Sequence, residues 1–433
     1  MGVVVHGARL TPGRAQRNPL TASIKALRRS GQVRAPRSAQ TAAEEENQSL
    51  SARTRIDLHQ VGCIRIGAGI MTDCARDCAD TGVKNALIVT SAPIARLAEG
   101  LCAALRGAGV TPHLWLGPDG EPTRADFAEA LALASSVDAG FLIGLGGGSA
   151  MDVAKLVAAM HRSSQTFDEV VGIDLLAGRS LPLACIPTTA GTGSEVTPIA
   201  ILEDEQAQLK KGVVSRHLVP DFAYLDAALT TSMPHKVTAS TGLDALTHCI
   251  EAYANRFAHP VVDSWALQGI GLIAANLERA CNEPDNLAAR EAMLIGSHMG
   301  GLCLGPVNTA AVHALAYPLG GEFHVPHGVA NSLLLPHVIR FNAETDPARY
   351  ARIGHAMGLP DTSDAAADAE ACIAEIERLS AAAGIDRRLS DVGISSNALP
   401  KMAAAAMTVQ RLLRNNPREV TEADALRIYE AAL

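Results

Sequence analysis

A change of rhythm near residue 232 narrows the folds open to this chain more than any other feature. From residue 61, short β-rich runs alternate with helical stretches. ALIVT (86–90), HLWL (113–116) and FLIGL (141–145) read as strands, while the segments near 93–107, 123–135 and 150–161 carry helical spacing, with Pro or Gly at the joins. LACI (183–186), VTPIAIL (196–202) and FAYLD (222–226) add further strands. After about 232, strand-like runs become scarce, and Ala-, Leu- and Met-rich helical segments follow one another to Leu433. The first pattern predicts an α/β domain, a parallel sheet with helices on both faces, over 56–232. The second predicts an all-α domain over 233–433. No period of 20 to 50 residues recurs, which argues against a solenoid.

Residues 1–55 stand apart. RRSGQVRAPRSAQ and similar runs show no sustained apolar period, so a disordered, dispensable basic leader is expected; an organelle transit peptide is the other reading of an Arg-rich, acid-poor segment. Its ten basic and three acidic residues sum to +7, which leaves −15 of the whole chain's −8 on the remainder. An acidic body with only 3% aromatic residues has neither the basic field nor the stacking surface that nucleic acid requires. No stretch of about 20 apolar residues offers a membrane span. The 433-residue length exceeds the roughly 250–300 at which one core stops growing, in keeping with two domains. Nine cysteines are scattered singly apart from Cys74 and Cys78, which lack the second pair of a structural zinc site. Reduced thiols and a cytoplasmic location are expected. Small-molecule chemistry is the class that remains.

Two segments could serve that chemistry. FLIGLGGGSAMDVAKLVAAM runs from a strand through Gly146, Gly147, Gly148 and Ser149 into a helix carrying Asp152 and Lys155. Glycines allow close backbone approach, and the free N–H groups of a helix start attract a pyrophosphate. The contiguous glycines depart from G-x-G-x-x-G, and a plain tight corner is the competing reading. IPTTAGTGSEVT (186–197) gathers hydroxyls at Thr188, Thr189, Thr192 and Ser194 after a strand, where α/β folds bind nucleotides; a helix start capped by Thr192 or Ser194 competes with that reading. Lys210 and Lys211 read as a solvated surface pair.

The helical part concentrates His and carboxylate. Asp244 and His248 in STGLDALTHCIEAY are four apart, on one face of a helix. His313 in AAVHALAYPLGGEF and His327 in HVPHGVANSLLLPH complete one carboxylate and three imidazoles, a donor set that suits Fe(II) or Zn(II). With 14 histidines in the chain, any single one is as well explained by structure or surface.

Taken together and in this order, GGGSAMDVAK, IPTTAGTGSEVT, DALTHCIEAY and the His313–His327 segment ending in PHGVAN resemble the iron-containing (group III) alcohol dehydrogenase family, from about residue 58 to the C-terminus. The resemblance implies a Rossmann-like N-terminal domain and a helical C-terminal domain in the dehydroquinate synthase-like arrangement. A metal and a nicotinamide, NAD or NADP, would meet in the cleft between them. It assigns Asp244, His248, His313 and His327 to the metal, with iron(II) ahead of zinc(II). Gly147, Gly148, Ser149, Thr188 and Thr189 match cofactor contacts, with Asp152, Thr192 and Lys211 as weaker matches. A small alcohol, aldehyde or keto acid is the implied substrate, and a homodimer or larger homo-oligomer the implied assembly.

The sequence departs from the family pattern at three places. Ser91 stands where NAD-preferring members carry an acidic residue, so both dinucleotides stay open. Tyr317 replaces a second histidine four residues after His313; beside His327 it is the expected catalytic group, as a proton relay. Glu121-Pro122-Thr123 replaces a Pro-Asn-Pro stretch, with His324 either filling that gap or lining the pocket wall. Hydride transfer between nicotinamide and a metal-polarised alcohol or carbonyl is the expected reaction. Maleylacetate reductase is the nearer alternative. A dehydroquinate synthase-like lyase and a catalytically silent binding protein are more remote.

Overall fold

The structure is a computed structural model that describes residues 55–117, 120–204 and 209–433. All of the basic leader but its last residue lies outside them. Six strands form a parallel sheet in the order β1-β9-β6-β4-β2-β3. They are β1 (Cys63–Ile66), β2 (Asn85–Ser91), β3 (Thr111–Gly117), β4 (Phe141–Gly146), β6 (Leu183–Pro187) and β9 (Phe222–Leu225). Between them run helices α1 (Asp73–Asp80), α2 (Ala98–Gly107), α3 (Arg124–Ser136), α4 (Gly148–Met160) and the short α5 (Phe167–Val170). The near-continuous apolar runs of the central strands β2, β4 and β6 are explained by burial on both faces. Alternate residues divide between two cores: Leu87 and Val89 of β2 pack with Phe127 of α3 and Met151 of α4, while Ala86 and Ile88 pack with Cys74 of α1 and Leu101 of α2.

The segment VTPIAIL differs from its sequence reading. Its strand, β7 (Ile199–Asp204), leaves the parallel sheet and pairs antiparallel with β8 (Leu209–Val214), which pairs in turn with the two-residue β5 (Gly172–Ile173). Its first residue, Val196, closes a 3₁₀ turn, Ser194–Val196, whose N-cap is Gly193 rather than Thr192 or Ser194.

After β9 the described chain is helical: α6 (His235–Ala254), α7 (Pro260–Asn282), α8 (Leu287–Leu304), α9 (Ala311–Phe323), α10 (His327–Ala343), α11 (Pro347–Ala356), α12 (Ala365–Ala382), α13 (Leu399–Ala406), α14 (Gln410–Leu413) and α15 (Glu422–Ala431). α6 is buried on nearly every side, from Leu243 to Ala254 without interruption. Its polar residues Asp244, Thr247, His248 and Glu251 are therefore inside the protein. None of the described helices is long and apolar enough to cross a membrane.

The α/β and helical parts meet along the loop between β6 and β7. A Cβ at Gly191 would lie 2.7 Å from Cβ of Thr241 on α6, and one at Gly193 would lie 2.5 Å from Cα of Gly301 on α8. Gly193 is also left-handed, φ +61°. Gly193→Ala should therefore combine the left-handed penalty with overpacking against backbone, about 2–5 kcal/mol in all. Gly109, left-handed at φ +82° with nothing within 4 Å of where a Cβ would stand, supplies the control: Gly109→Ala should cost only about 1–2 kcal/mol. Urea denaturation of both variants checks the difference, and equal losses would mean that the interface yields.

Candidate metal centre and cofactor cleft

Two neighbouring cavities open at the carboxyl ends of the central strands. The first, about 280 Å³, is lined by Ser91 at the end of β2, Gly147 and Ser149 at the start of α4, and Thr188 and Thr189 after β6, with Trp115, Ile94, Leu229 and Met233 as apolar wall. Gly147 is the N-cap of α4, and no side chain caps that helix start, so its first N–H groups remain available to an anion. No charged residue occurs among the described residues lining this cavity. The second cavity, about 580 Å³, shares Gly120, Pro122 and Ser149 with the first and reaches Gly148, Asp152, Thr192, Asp244, His248, His313, Tyr317 and His327.

The two loops that shape the cleft are bolted together beneath it. Lys155, fully buried on α4, donates to Ser194 Oγ (2.7 Å), Thr197 Oγ1 (3.0 Å) and the Ile199 carbonyl (2.9 Å). Asp152 accepts from Ser194 Oγ at 2.6 Å and from the Ile201 N–H at 2.9 Å. Burial lowers the basicity of Lys155 and raises the Asp152 carboxyl, and the attraction between the two groups opposes both shifts.

In the second cavity four donors converge. Asp244 Oδ1 lies 3.8 Å from His248 Nε2 and 3.7 Å from both His313 Nε2 and His327 Nε2, and the Asp244, His313 and His327 donor atoms lie within 4.8 Å of one another. The outer nitrogens are already engaged: His313 Nδ1 donates to Glu251 at 2.6 Å, and His248 Nδ1 lies 3.3 Å from the Gly191 carbonyl. Those partners fix the tautomer in which Nε2 presents a lone pair inward. Burial lowers the basicity of His313 and His327, which keeps those lone pairs free. Burial also pushes the Asp244 carboxyl up, but the imidazoles and the Asn331 amide outweigh it, and it ends at about 2. Glu251 is raised to about 7 by its burial.

Asn331, one turn after His327 on α10, stands at the focus of these acceptors. Its Nδ2 is 2.7 Å from Asp244 Oδ1, 3.1 Å from His313 Nε2 and 3.2 Å from His327 Nε2, while its buried Oδ1 has no partner among the described residues. Three lone pairs aimed at one electropositive group, beside an orphaned amide oxygen, fit a site for a divalent cation with the amide turned aside. Of the four candidate donors His327 has the open edge, 32% side-chain exposure against 4–6% for the other three, and it too lines the second cavity. A second group, His355, Asp361 and Asp368, is less suited: Asp368 is occupied by Thr362 and His355.

The sequence-derived residues are distributed unevenly. Ser91, Gly147, Ser149, Thr188 and Thr189 line the first cavity, and Gly148, Asp152 and Thr192 the second. Lys211 lines neither; Asp204 (2.7 Å) and Asp168 (3.0 Å) hold its ammonium. Lys210, on the opposite face of β8, is the lysine that reaches the second cavity, where it pairs with Glu121 at 2.6 Å. His324 lines neither of these two cavities: it is the exposed left-handed C-cap of α9. Tyr317 does line the second cavity, and its Oη accepts from Arg411 Nη2 at 2.6 Å. Sequence reasoning passes over Glu251, Asn331 and Arg411. Asn331 follows His327 at the same four-residue spacing that pairs Asp244 with His248, whereas Arg411 has no local signal.

Comparison with known proteins identifies the family. Residues 62–227 match the iron-containing alcohol dehydrogenase family, and residues 238–433 match the C-terminal part of the Fe-containing alcohol dehydrogenase family. The chain is 38% identical over 375 residues to long-chain-alcohol dehydrogenase 1 of Geobacillus thermodenitrificans, covering 85% of this chain and 94% of that protein. Among solved structures, a 1,3-propanediol oxidoreductase superposes with a TM-score of 0.85 at 33% identity, over 88% of this chain and all of the other. A sulfoacetaldehyde reductase from Bifidobacterium kashiwanohense in complex with NAD+ superposes with a TM-score of 0.79 at 28% identity, over 88% and 99%. These relatives favour alcohol–carbonyl oxidoreduction over the maleylacetate reductase and lyase readings. The chain belongs to the iron-containing alcohol dehydrogenase family and is an oxidoreductase acting on CH–OH groups.

Proposed function

We propose that this oxidoreductase interconverts a small alcohol and its aldehyde or ketone with NAD or NADP. The dinucleotide would be held within 56–232, and a divalent metal, iron(II) before zinc(II), by Asp244, His248, His313 and His327 within 233–433. The observation that carries this reading is the convergence of one carboxylate oxygen and three imidazole nitrogens in a cavity that shares Ser149 with the Gly-rich helix start. When bound, the metal polarises the substrate oxygen and the nicotinamide gives or takes the hydride.

The chain's own residues supply positioning, electrostatics and a proton path. The Gly147–Ser149 backbone and the start of α4 attract the pyrophosphate, and Thr188 and Thr189 offer hydroxyls beside it. Glu251 holds His313 in orientation through Nδ1. Tyr317 Oη accepts from Arg411, so its own hydroxyl proton is free to pass to the substrate oxygen. His327, the most exposed of the four donors, lines the second cavity. The nine cysteines are all free, in keeping with a cytoplasmic protein. Exposed Ile64 and Ile66 on edge strand β1, and Leu114 and Leu116 on edge strand β3, support a homodimer or larger assembly.

Three outcomes are expected. The anaerobically metal-loaded protein should turn over members of a panel of alcohols, aldehydes and keto acids with NAD(P) coupling, and Asp244→Asn should abolish both metal retention and turnover. No turnover across the panel would reject the activity. Glu251→Gln should weaken metal affinity about 10- to 100-fold, read by competition with a chelating dye; unchanged affinity would remove Glu251 from the site. Ser91→Asp should move the NAD-to-NADP ratio of kcat/KM toward NAD by at least about tenfold, since a carboxylate there accepts ribose hydroxyls and repels a 2′-phosphate. An unchanged ratio would place the adenosine elsewhere.

A further inference from the structure

Among the described residues, one cation facing the metal-bearing cavity has no carboxylate partner. Arg411, exposed on α14, lines this cavity together with His313 and Tyr317. Its Nη2 donates to Tyr317 Oη at 2.6 Å, and its guanidinium carbon lies 5.9 Å from the Tyr317 ring centroid. The other charges of the cavity are spoken for: Lys210 pairs with Glu121, Asp152 is held by Ser194 and the Ile201 N–H, and Asp244 faces the imidazoles. With a divalent ion at Asp244, the cavity carries a surplus of positive charge at two separate points.

The spacing of those points constrains what could use both. His313 and Tyr317 are four residues apart on α9, hence on one face and about 6 Å apart along the axis. Arg411, held by the Tyr317 hydroxyl, is therefore presented beside the turn of α9 that follows His313, in the cavity that His313 also lines. A guanidinium is a planar fork that matches a carboxylate or sulfonate with two parallel N–H donors, and a chain of a few carbons spans the interval.

We propose that Arg411, held by Tyr317, is the subsite for the anionic end of a short oxo acid, which makes aldehydes or ketones bearing a nearby carboxylate or sulfonate the preferred substrates. This rests on the dehydrogenase reading above. In the reducing direction the carbonyl carbon gains a hydride from the reduced nicotinamide and the carbonyl oxygen gains a proton, giving a hydroxy acid and the oxidised nicotinamide. The anionic group is unchanged.

The test uses the full chain loaded with metal and reduced dinucleotide, comparing 4-oxobutanoate and sulfoacetaldehyde with neutral butanal in wild type, Arg411→Gln and Arg411→Lys. Succinate binding to the same loaded proteins, measured by calorimetry, provides a readout that needs no turnover. Wild type should favour an anionic aldehyde over butanal by at least about tenfold in kcat/KM, chiefly through KM. That ratio should fall at least about tenfold in Arg411→Gln and be partly restored in Arg411→Lys, with succinate affinity changing in parallel and thermal melting unchanged. A lead for 4-oxobutanoate assigns a carboxylate, and a lead for sulfoacetaldehyde a sulfonate. A ratio and a succinate affinity that are the same in wild type and Arg411→Gln overturn the subsite and leave the dehydrogenase standing. Succinate binding that depends on Arg411 without turnover of any aldehyde does the reverse, and loss of both readouts in wild type overturns both.

Discussion

A buried carboxylate governs this structure. Asp244 is 3% exposed on a helix enclosed almost all round, and an ionised carboxylate in such a place costs several kcal/mol unless positive charge or N–H donors surround it. The imidazoles nearest to it attract it only when protonated; in a neutral ring Glu251 and the Gly191 carbonyl take up the outer N–H groups of His313 and His248 and leave lone pairs facing it. The Asn331 amide donates at 2.7 Å and supplies part of the compensation. On the proposed reading a divalent cation would supply the rest, and the same charge would be available to a substrate oxygen beside His327.

In the proposed reaction, cation and cofactor would cooperate only if two differently built halves are held in register. The loop from Pro187 to Thr197 does this with small residues. Its hydroxyls at Thr188 and Thr189 face the first cavity, Thr192 faces the second, and Ser194 joins Asp152 and Lys155 of the phosphate helix in a buried network. On the other side, Gly191 and Gly193 let α6 and α8 approach to distances a side chain would forbid. The Gly191 carbonyl also orients His248. One loop thus touches the first cavity, the cluster around Asp244 and the interface between sheet and helices, and its displacement would be felt at all three.

Much of this is legible in the sequence because it is local. Strand and helix periods point to the parallel sheet and the helical second half, and the i, i+4 spacing of Asp244 and His248 places both on one face. What the sequence hides depends on side-chain direction or on distant packing. Lys210 and Lys211 are adjacent, and only the pleat of β8 sends one toward Glu121 and the other toward Asp204 and Asp168. VTPIAIL has the composition of a sheet strand, but nothing within it specifies the separate antiparallel pair with β8. Arg411 lies 94 residues beyond Tyr317, so no local pattern could announce their hydrogen bond. The neighbours of His324 suggest a pocket role, whereas the end of α9 sets its left-handed backbone and turns it out of the cavities.

Anomalous diffraction from crystals soaked anaerobically with iron(II) and a dinucleotide would decide whether the buried donors form a metal site facing the cofactor. The expected result is a single strong peak about 2.0–2.3 Å from Asp244, His248, His313 and His327, with the Asn331 amide turned away from its bridging position and the nicotinamide at the junction of the two cavities. A peak at His355 and Asp368 alone, or no peak with Asn331 still bridging Asp244 to His313 and His327, would contradict it.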